Sequence, residues 1–542
     1  MSELQQSYDF VVVGGGLAGL AAGVAAADAG LRVAVLEKSD TFGGVTAYSN
    51  GQLWVPASRQ QLAASLEDSA ESGAGYLRRL GMGFAHEEHI QAYVDLAPQV
   101  VRYFEDVIGA RFDLIRGLPD YYYPDFEEAK PEGRYLEVAP LLGAELGEHV
   151  GLLRRSPHQQ YRLTHEDMWQ LGGGTRSHSW DRTLIDEREA QDALCMGTGI
   201  AAYFLRGAIQ KGADLVVGVD VQELVVEGGR VRGVRVAGIE GVVHAERGVL
   251  LATGGYDWNL AEMRAFEGVV DIASAAPPSV TGDHLRLAGD IGAAITQTPK
   301  PVRLGYKMPG RVAEGEPLTG IFRFPSNPHA ILVNRDGRRF SDESFYASIG
   351  HALKAIDGRA QQFVNWPCWM IFDTQFRSQY SIGSVTPETD LPAEWEWSAA
   401  DTLVELAAQI GVDPEGLEAQ VEEFNRGVEQ GHDPVFHRGE RPWSRRSYGD
   451  AAATGHPNLG TIEKGPFYAI KPELVGTGIP TVGLDTDPVG RVLSHAGKPI
   501  EGLYAAGNSS ALLETGAGYQ SGVANTRSLT VAYSSARAAA GL

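Results

Sequence analysis

A short β-branched run near the start of the chain gives way to alternating glycines, and that junction restricts the fold more than any other feature of the 542 residues. Tyr8 to Val13 is apolar and β-branched, which predicts a buried strand. Gly14, Gly16 and Gly19 follow as G-x-G-x-x-G, and Leu17 to Ala27 predicts an alanine-rich helix. Leu31 to Leu36 is a second strand that ends on Glu37. The roughly twenty-residue spacing from the glycines to that acid is what a dinucleotide-binding βαβ unit requires. Gly14 makes the tight turn, Gly16 lets backbone approach a pyrophosphate, and Gly19 lets helix and strand pack closely. The helix N-terminus attracts the phosphate charge. Glu37 would hold ribose hydroxyls and disfavour a 2′-phosphate. The competing reading, a glycine-rich turn with no ligand, leaves the acid and its spacing unexplained.

Past Glu37 comes Lys38 and then a second glycine turn, Phe42-Gly43-Gly44-Val45-Thr46-Ala47. Such a turn is unlike typical nicotinamide dehydrogenases. It resembles the flavoproteins of the fumarate reductase and succinate dehydrogenase superfamily, as do Ala252-Thr253-Gly254-Gly255-Tyr256 and Gly502 to Asn508. The resemblance implies an α/β fold, α+β overall. A Rossmann-like FAD-binding domain (residues 1–280 and 456–542) would carry an inserted substrate-capping domain (281–455). It implies FAD held by Gly14, Gly16, Leu17, Ala18, Gly19, Glu37, Lys38, Gly43, Gly44, Thr46, Ala47, Val221, Ala252, Thr253, Gly254, Gly507 and Asn508. No histidine stands near Gly44 to Gln52, so a covalent flavin link is not expected. Gly197 to Lys211 predicts a helix, and the alternating run from Asp214 to Val236, turning at Gly228-Gly229, predicts a β-ribbon. Inside the insertion, Asp413 to Gln430 predicts an amphipathic helix with Leu417, Val421 and Phe424 on one face.

Composition closes off other classes. Asp and Glu outnumber Lys and Arg by 69 to 46, a formal charge of −23, which argues against a nucleic-acid or anionic-membrane binder. The two cysteines, Cys195 and Cys368, cannot build a disulfide framework or a cysteine metal cluster, and no metal site is expected. The uncharged stretch from Phe10 to Ala27 is just long enough to raise a membrane question. It holds five glycines, and no Lys or Arg precedes it as a secretory signal would require. The sequence therefore reads as cytoplasmic, with no transmembrane segment.

Further segments resemble the 3-ketosteroid Δ1-dehydrogenases, FAD enzymes that desaturate a ring beside a ketone. These are Gly43 to Ser49, Pro119-Asp120-Tyr121-Tyr122-Tyr123-Pro124, Lys130 to Arg134, Ala252 to Trp258, Gly337 to Glu343, Pro367 to Asp373, His437 to Glu440 and Gly465 to Ala469. They occur in order and cover nearly the whole chain. The resemblance implies desaturation of a cyclic ketone, steroid or smaller, with an electron acceptor the sequence does not identify. The chemistry needs a polarised carbonyl, a base for the α-proton and flavin N5 for the β-hydride. A phenol suits a dry cavity because it donates, accepts and stays neutral.

By resemblance Tyr346 is the base and Tyr123, or else Tyr122, hydrogen-bonds to it. Each would otherwise be a packing tyrosine. The family holds the ketone oxygen with a tyrosine and, four residues later, a glycine N–H. Here the glycine position falls on Gly522 and the tyrosine position on Gly518, a departure that leaves Tyr519 as the substitute. A fumarate reductase would need an arginine acid, and none flanks Tyr346 in sequence. Arg338 and Arg339 read as a solvated turn and His351 as a packing or capping residue. Arg176 and His178 are weaker candidates for a substrate carboxylate.

Overall fold

The computed structural model describes residues 4–159 and 162–542. The β-branched runs near the start become the middle of a sheet because both of their faces are covered. Strand Ser7–Val13 lies between Val243–Leu251 and Val33–Glu37, parallel to both. The parallel set continues through Pro499–Ala505 on one side and Asp214–Val217 on the other. Arg491–Leu493 adds an antiparallel edge, and the ribbon Val221–Glu227/Arg230–Val236 pairs onto Val243–Leu251. Asp214–Val217, expected as part of that ribbon, instead joins the parallel sheet.

Helix Leu17–Asp28 packs on this sheet and against two others, Met196–Gln210 and Val523–Ala540. The approach depends on Gly19, where a Cβ would overlap the Gly14 carbonyl oxygen. The uncharged stretch that raised a membrane question is thus a strand, a turn and a buried helix. No helix among the described residues is long and apolar enough to cross a membrane.

A second layer packs over the end of the sheet that carries the glycine turns. Strands Ala330–Val333, Trp369–Asp373, Phe467–Ile470 and Trp397–Ala400 form an antiparallel sheet. Helix Pro414–Glu429 packs with Leu417, Val421 and Phe424 buried, the expected face. A further sheet joins Ile272–Ser274, Glu473–Gly476 and the hairpin Arg303–Ala313/Glu316–Ile321. Phe467–Ile470 and Glu473–Gly476, which the sequence placed in the returning FAD segment, pair with strands of the covering layer. The chain rejoins the parallel sheet at Arg491–Leu493.

Candidate active site

One elongated cavity of about 650 Å³ runs from the glycine turns to a cluster of aromatic side chains. At the turn end it is lined by Gly14, Gly16, Leu17, Ala18, Glu37, Lys38, Gly44, Thr46, Val221, Ala252, Thr253, Gly254, Gly507 and Asn508. Gly19, Gly43 and Ala47, also expected here, lie behind this surface and support it. Gly43 is the cap of the short helix Gly44–Tyr48, and its N–H donates to the Gly15 carbonyl at 2.8 Å.

Three observations fit this end to a dinucleotide. A Cβ at Gly16 would meet nothing within 4 Å, so the backbone faces open space. Helix Leu17–Asp28 has no side-chain N-cap and no acid in its first turn, leaving its dipole free for an anion. Asn508 keeps a buried, unpartnered Oδ1 on the cavity wall. Glu37 accepts from the Gly15 N–H at 2.7 Å and from Ser39 N and Oγ at 2.9 and 2.8 Å. A carboxylate has about four acceptor sites, so capacity for ribose hydroxyls remains. Lys38 pairs with Asp283 at 2.7 Å and donates to Thr281, so it ties the end of strand Val33–Glu37 to the start of helix Asp283–Gly289.

At the other end, three segments meet. Helix Tyr346–Ala352 begins at Tyr346, buried behind the cavity lining; its hydroxyl makes no hydrogen bond of full geometry, and the Tyr121 hydroxyl interacts with it. Tyr121 stands edge-on to it at 5.7 Å between ring centroids, and Tyr519 at 6.3 Å. Trp443 closes the cluster, 4.4 Å from Tyr121. Burial pushes the Tyr346 phenol well above the ordinary tyrosine value; Tyr121 adds to this and the Arg303 guanidinium opposes it. Arg303 lies over the Tyr346 ring, 3.1 Å from its centroid, and forms the cavity surface there with Tyr519 and Gly522.

Each segment is held by buried charge. Arg134, fully buried, pairs with Asp68 at 2.7 Å and Asp120 at 2.8 Å. Asp120 also accepts from Trp54 Nε1, fixing the residue before Tyr121. Arg339 pairs with Glu343 at 2.6 Å and Asp433 at 2.7 Å, and Ser344 bonds to Asp342 and Gly439, which sets the turn into Tyr346. Lys300 donates to Thr515 Oγ1 at 2.9 Å and to the Gly516 and Gly518 carbonyls, anchoring the loop into Gly522. Gln520 in that loop accepts from Tyr76 and from the Tyr121 N–H, and donates to Tyr135. Gly522 caps helix Val523–Ala540 with φ of 88°, and a Cβ there would come within 2.6 Å of the Leu53–Trp54 backbone. Its N–H has no acceptor among the described residues.

The family of the FAD binding domain matches residues 9–523. The chain belongs to that family. It is 34% identical over 93% of its length, and 88% of the relative's, to a 4-oxocyclohexanecarboxylate 2-dehydrogenase of Sinomonas cyclohexanicum. It is 32% identical to a 3-oxosteroid 1-dehydrogenase of Mycolicibacterium smegmatis, over 93% of this chain and 92% of that one. The solved 3-ketosteroid Δ1-dehydrogenase of Sterolibacterium denitrificans, in complex with 1,4-androstadiene-3,17-dione, superposes with a TM-score of 0.89 at 30% identity. That match covers 99% of this chain and 100% of the other. The resemblance to the ketosteroid dehydrogenases therefore extends over the whole FAD binding domain and its covering layer, and the cofactor is FAD.

Several expected residues stand differently within this frame. Tyr123 lies half-buried against the same core and does not line the cavity; the tyrosine brought to Tyr346 is Tyr121. Tyr122 stacks on Phe126 at 4.5 Å, and the turn through residues 120–126 decides which ring points inward. At Gly518 a Cβ would overlap the Leu80 carbonyl, so no side chain fits and the ring comes from Tyr519. Arg339 is buried in an ion cluster rather than solvated, while Arg338 is exposed. Arg176 is taken by Asp450 at 2.6 Å and His178 by Ser381 at 2.9 Å, so neither is free for a substrate. His351 is exposed. Arg303 carried no signal in the sequence: it opens a hairpin strand outside every glycine or tyrosine motif.

Proposed function

We propose that this flavoprotein desaturates a ring ketone beside its carbonyl. One observation carries the reading. A buried phenol, Tyr346, packed directly behind the cavity residues Arg303, Tyr121 and Tyr519, and a free helix-start N–H, Gly522, on the cavity wall, lie at the same end of the FAD cavity. Tyr346 takes the α-proton as its phenolate, returning to the neutral phenol, with Tyr121 alongside. The Gly522 N–H and the Tyr519 hydroxyl hold the ketone oxygen as it gains negative charge. Bound FAD supplies the hydride acceptor for the β-hydrogen. Trp443, Tyr121 and Tyr519 keep water from the phenol, so the proton stays where the reaction needs it.

The smaller cyclohexanone class fits better than a steroid. The relative of highest identity reported above acts on an oxocyclohexanecarboxylate by its name. The shift from position 518 to Tyr519 also reshapes the carbonyl end. FAD is bound without a covalent link, the protein is cytoplasmic, and the covering layer that closes the site extends to about residue 476. Incubation with cyclic ketones and an artificial electron acceptor should yield a conjugated enone, seen by its ultraviolet absorbance and a mass loss of two hydrogens. Recovery of unchanged ketones, steroids included, would contradict the reading.

A further inference from the structure

The chain pairs its buried guanidiniums with carboxylates almost everywhere. Arg134 has Asp68 and Asp120, Arg339 has Glu343 and Asp433, and Arg527 has Glu514 at 2.8 Å. Arg303 breaks the pattern. Its guanidinium, half-buried on the cavity wall, makes no hydrogen bond or ion pair among the described residues, and it faces the phenols of Tyr346, Tyr448, Tyr121 and Tyr519. A guanidinium kept from bulk water without an anion is costly, and proteins retain one where a ligand supplies the counter-charge.

The cavity supports the same conclusion. Its lining carboxylates are Glu37, Asp220 and Asp283, all beside the glycine turn or the Val221 ribbon. None stands near the tyrosines. Arg446, on the same cavity, lies over Trp169 at 3.6 Å, pairs with Glu166 at 3.8 Å and donates to the Arg116 carbonyl, with Nε and Nη1 left buried without hydrogen bonds. A chain of formal charge −23 thus presents a cationic chamber around the reacting end. Walls of one sign in a low-dielectric cleft concentrate ligands of the other.

We infer that the substrate is a ring ketone bearing a carboxylate, and that Arg303 binds that carboxylate and sets the specificity. This rests on the ring-ketone desaturation proposed above. A planar guanidinium with free N–H edges matches a carboxylate in a way that neither a hydroxyl nor a hydrocarbon ring can replace.

The test compares 4-oxocyclohexanecarboxylate with its methyl ester as substrates of the FAD-loaded enzyme. It adds the affinities of 4-hydroxybenzoate and 4-methylphenol, phenols that mimic the enolised ketone with and without the carboxylate. A charge-assisted pair predicts a preference on the order of 10- to 100-fold for the carboxylate in both kcat/KM and binding. In Arg303→Met both ratios should fall to about one, and Arg303→Lys should keep part of them. The ratios separate recognition from any general effect of the substitution on Tyr346. A wild-type preference absent or reversed overturns the inference, even if the variants do not fold. So does an Arg303→Met variant that loses activity on acid and ester equally. Desaturation of the ester without preference for the acid would sink the Arg303 assignment alone. If no ketone is desaturated the desaturase reading fails, and the affinities of the two phenols still decide whether Arg303 receives a carboxylate.

Discussion

Tyr346 is buried with a guanidinium over its ring face, a setting in which its phenolate can receive a proton without competing water. General-base help is worth about 10²–10⁴-fold, so Tyr346→Phe should slow flavin reduction at least about 100-fold with FAD still bound. Stopped-flow reduction under single-turnover conditions measures this, and a rate within a few-fold of the parent would remove Tyr346 from the mechanism. The same assay separates two neighbours: Tyr121→Phe should be clearly slower than the parent, and Tyr123→Phe close to it. This is also where legibility ended. Three successive tyrosines share one motif, and the choice among them depends on Asp120 being pinned by Arg134 and Trp54, partners that lie 14 and 66 residues away. Tyr346 and Gly522 were named through the family resemblance, not from a pattern of their own. Arg303 was not, because its meaning lies in the carboxylate it lacks.

The loop from Gly516 to Gly522 works as an element because one buried lysine holds it. Burial lowers the Lys300 pKa from the ordinary lysine value to about 7. Between about pH 7 and the unfolded value near 10.4 the unfolded chain binds a proton that the folded chain does not. The contribution of Lys300 to stability therefore rises with pH across that window, and is least favourable below it, where the folded state must hold a buried ammonium. Lys300→Met should flatten that part of the profile. It should also weaken binding of phenolic ligands by several-fold, since the carbonyls of Gly516 and Gly518 lose their donor. Thermal melts from pH 6.5 to 10 check the first effect; parallel profiles for parent and variant would show that Lys300 does not titrate there. At this scale the glycine turn, the helix at Met196–Gln210 and the amphipathic helix at Pro414–Glu429 were readable, because their signals repeat within a few residues. The pairing of Asp214–Val217 with the parallel sheet was not, since strand alternation does not name a partner.

For the molecule as a whole, the cavity of about 650 Å³ is lined from both layers, and the covering layer is assembled from strands far apart in sequence. Phe467–Ile470 completes a sheet with Trp369–Asp373, a pairing distant in sequence that composition does not reveal. The FAD cavity is lined by residues of both layers, so added FAD should raise the melting temperature in a concentration-dependent way. At a hundred times its dissociation constant it contributes about 2.7 kcal/mol. Acid precipitation should release the yellow colour to the supernatant; colour left in the pellet would mean a covalent link. The central claim is that a ring ketone gives its β-hydride to FAD only when Tyr346 takes the α-proton. Anaerobic mixing of the FAD-loaded protein with a panel of cyclohexanones and 3-ketosteroids tests it most directly. At least one ring ketone should bleach the flavin absorbance near 450 nm in the wild type, and the same ketone should do so at least about 100-fold more slowly in Tyr346→Phe. A flavin that no ring ketone bleaches, or that bleaches equally fast without the Tyr346 hydroxyl, would contradict the account.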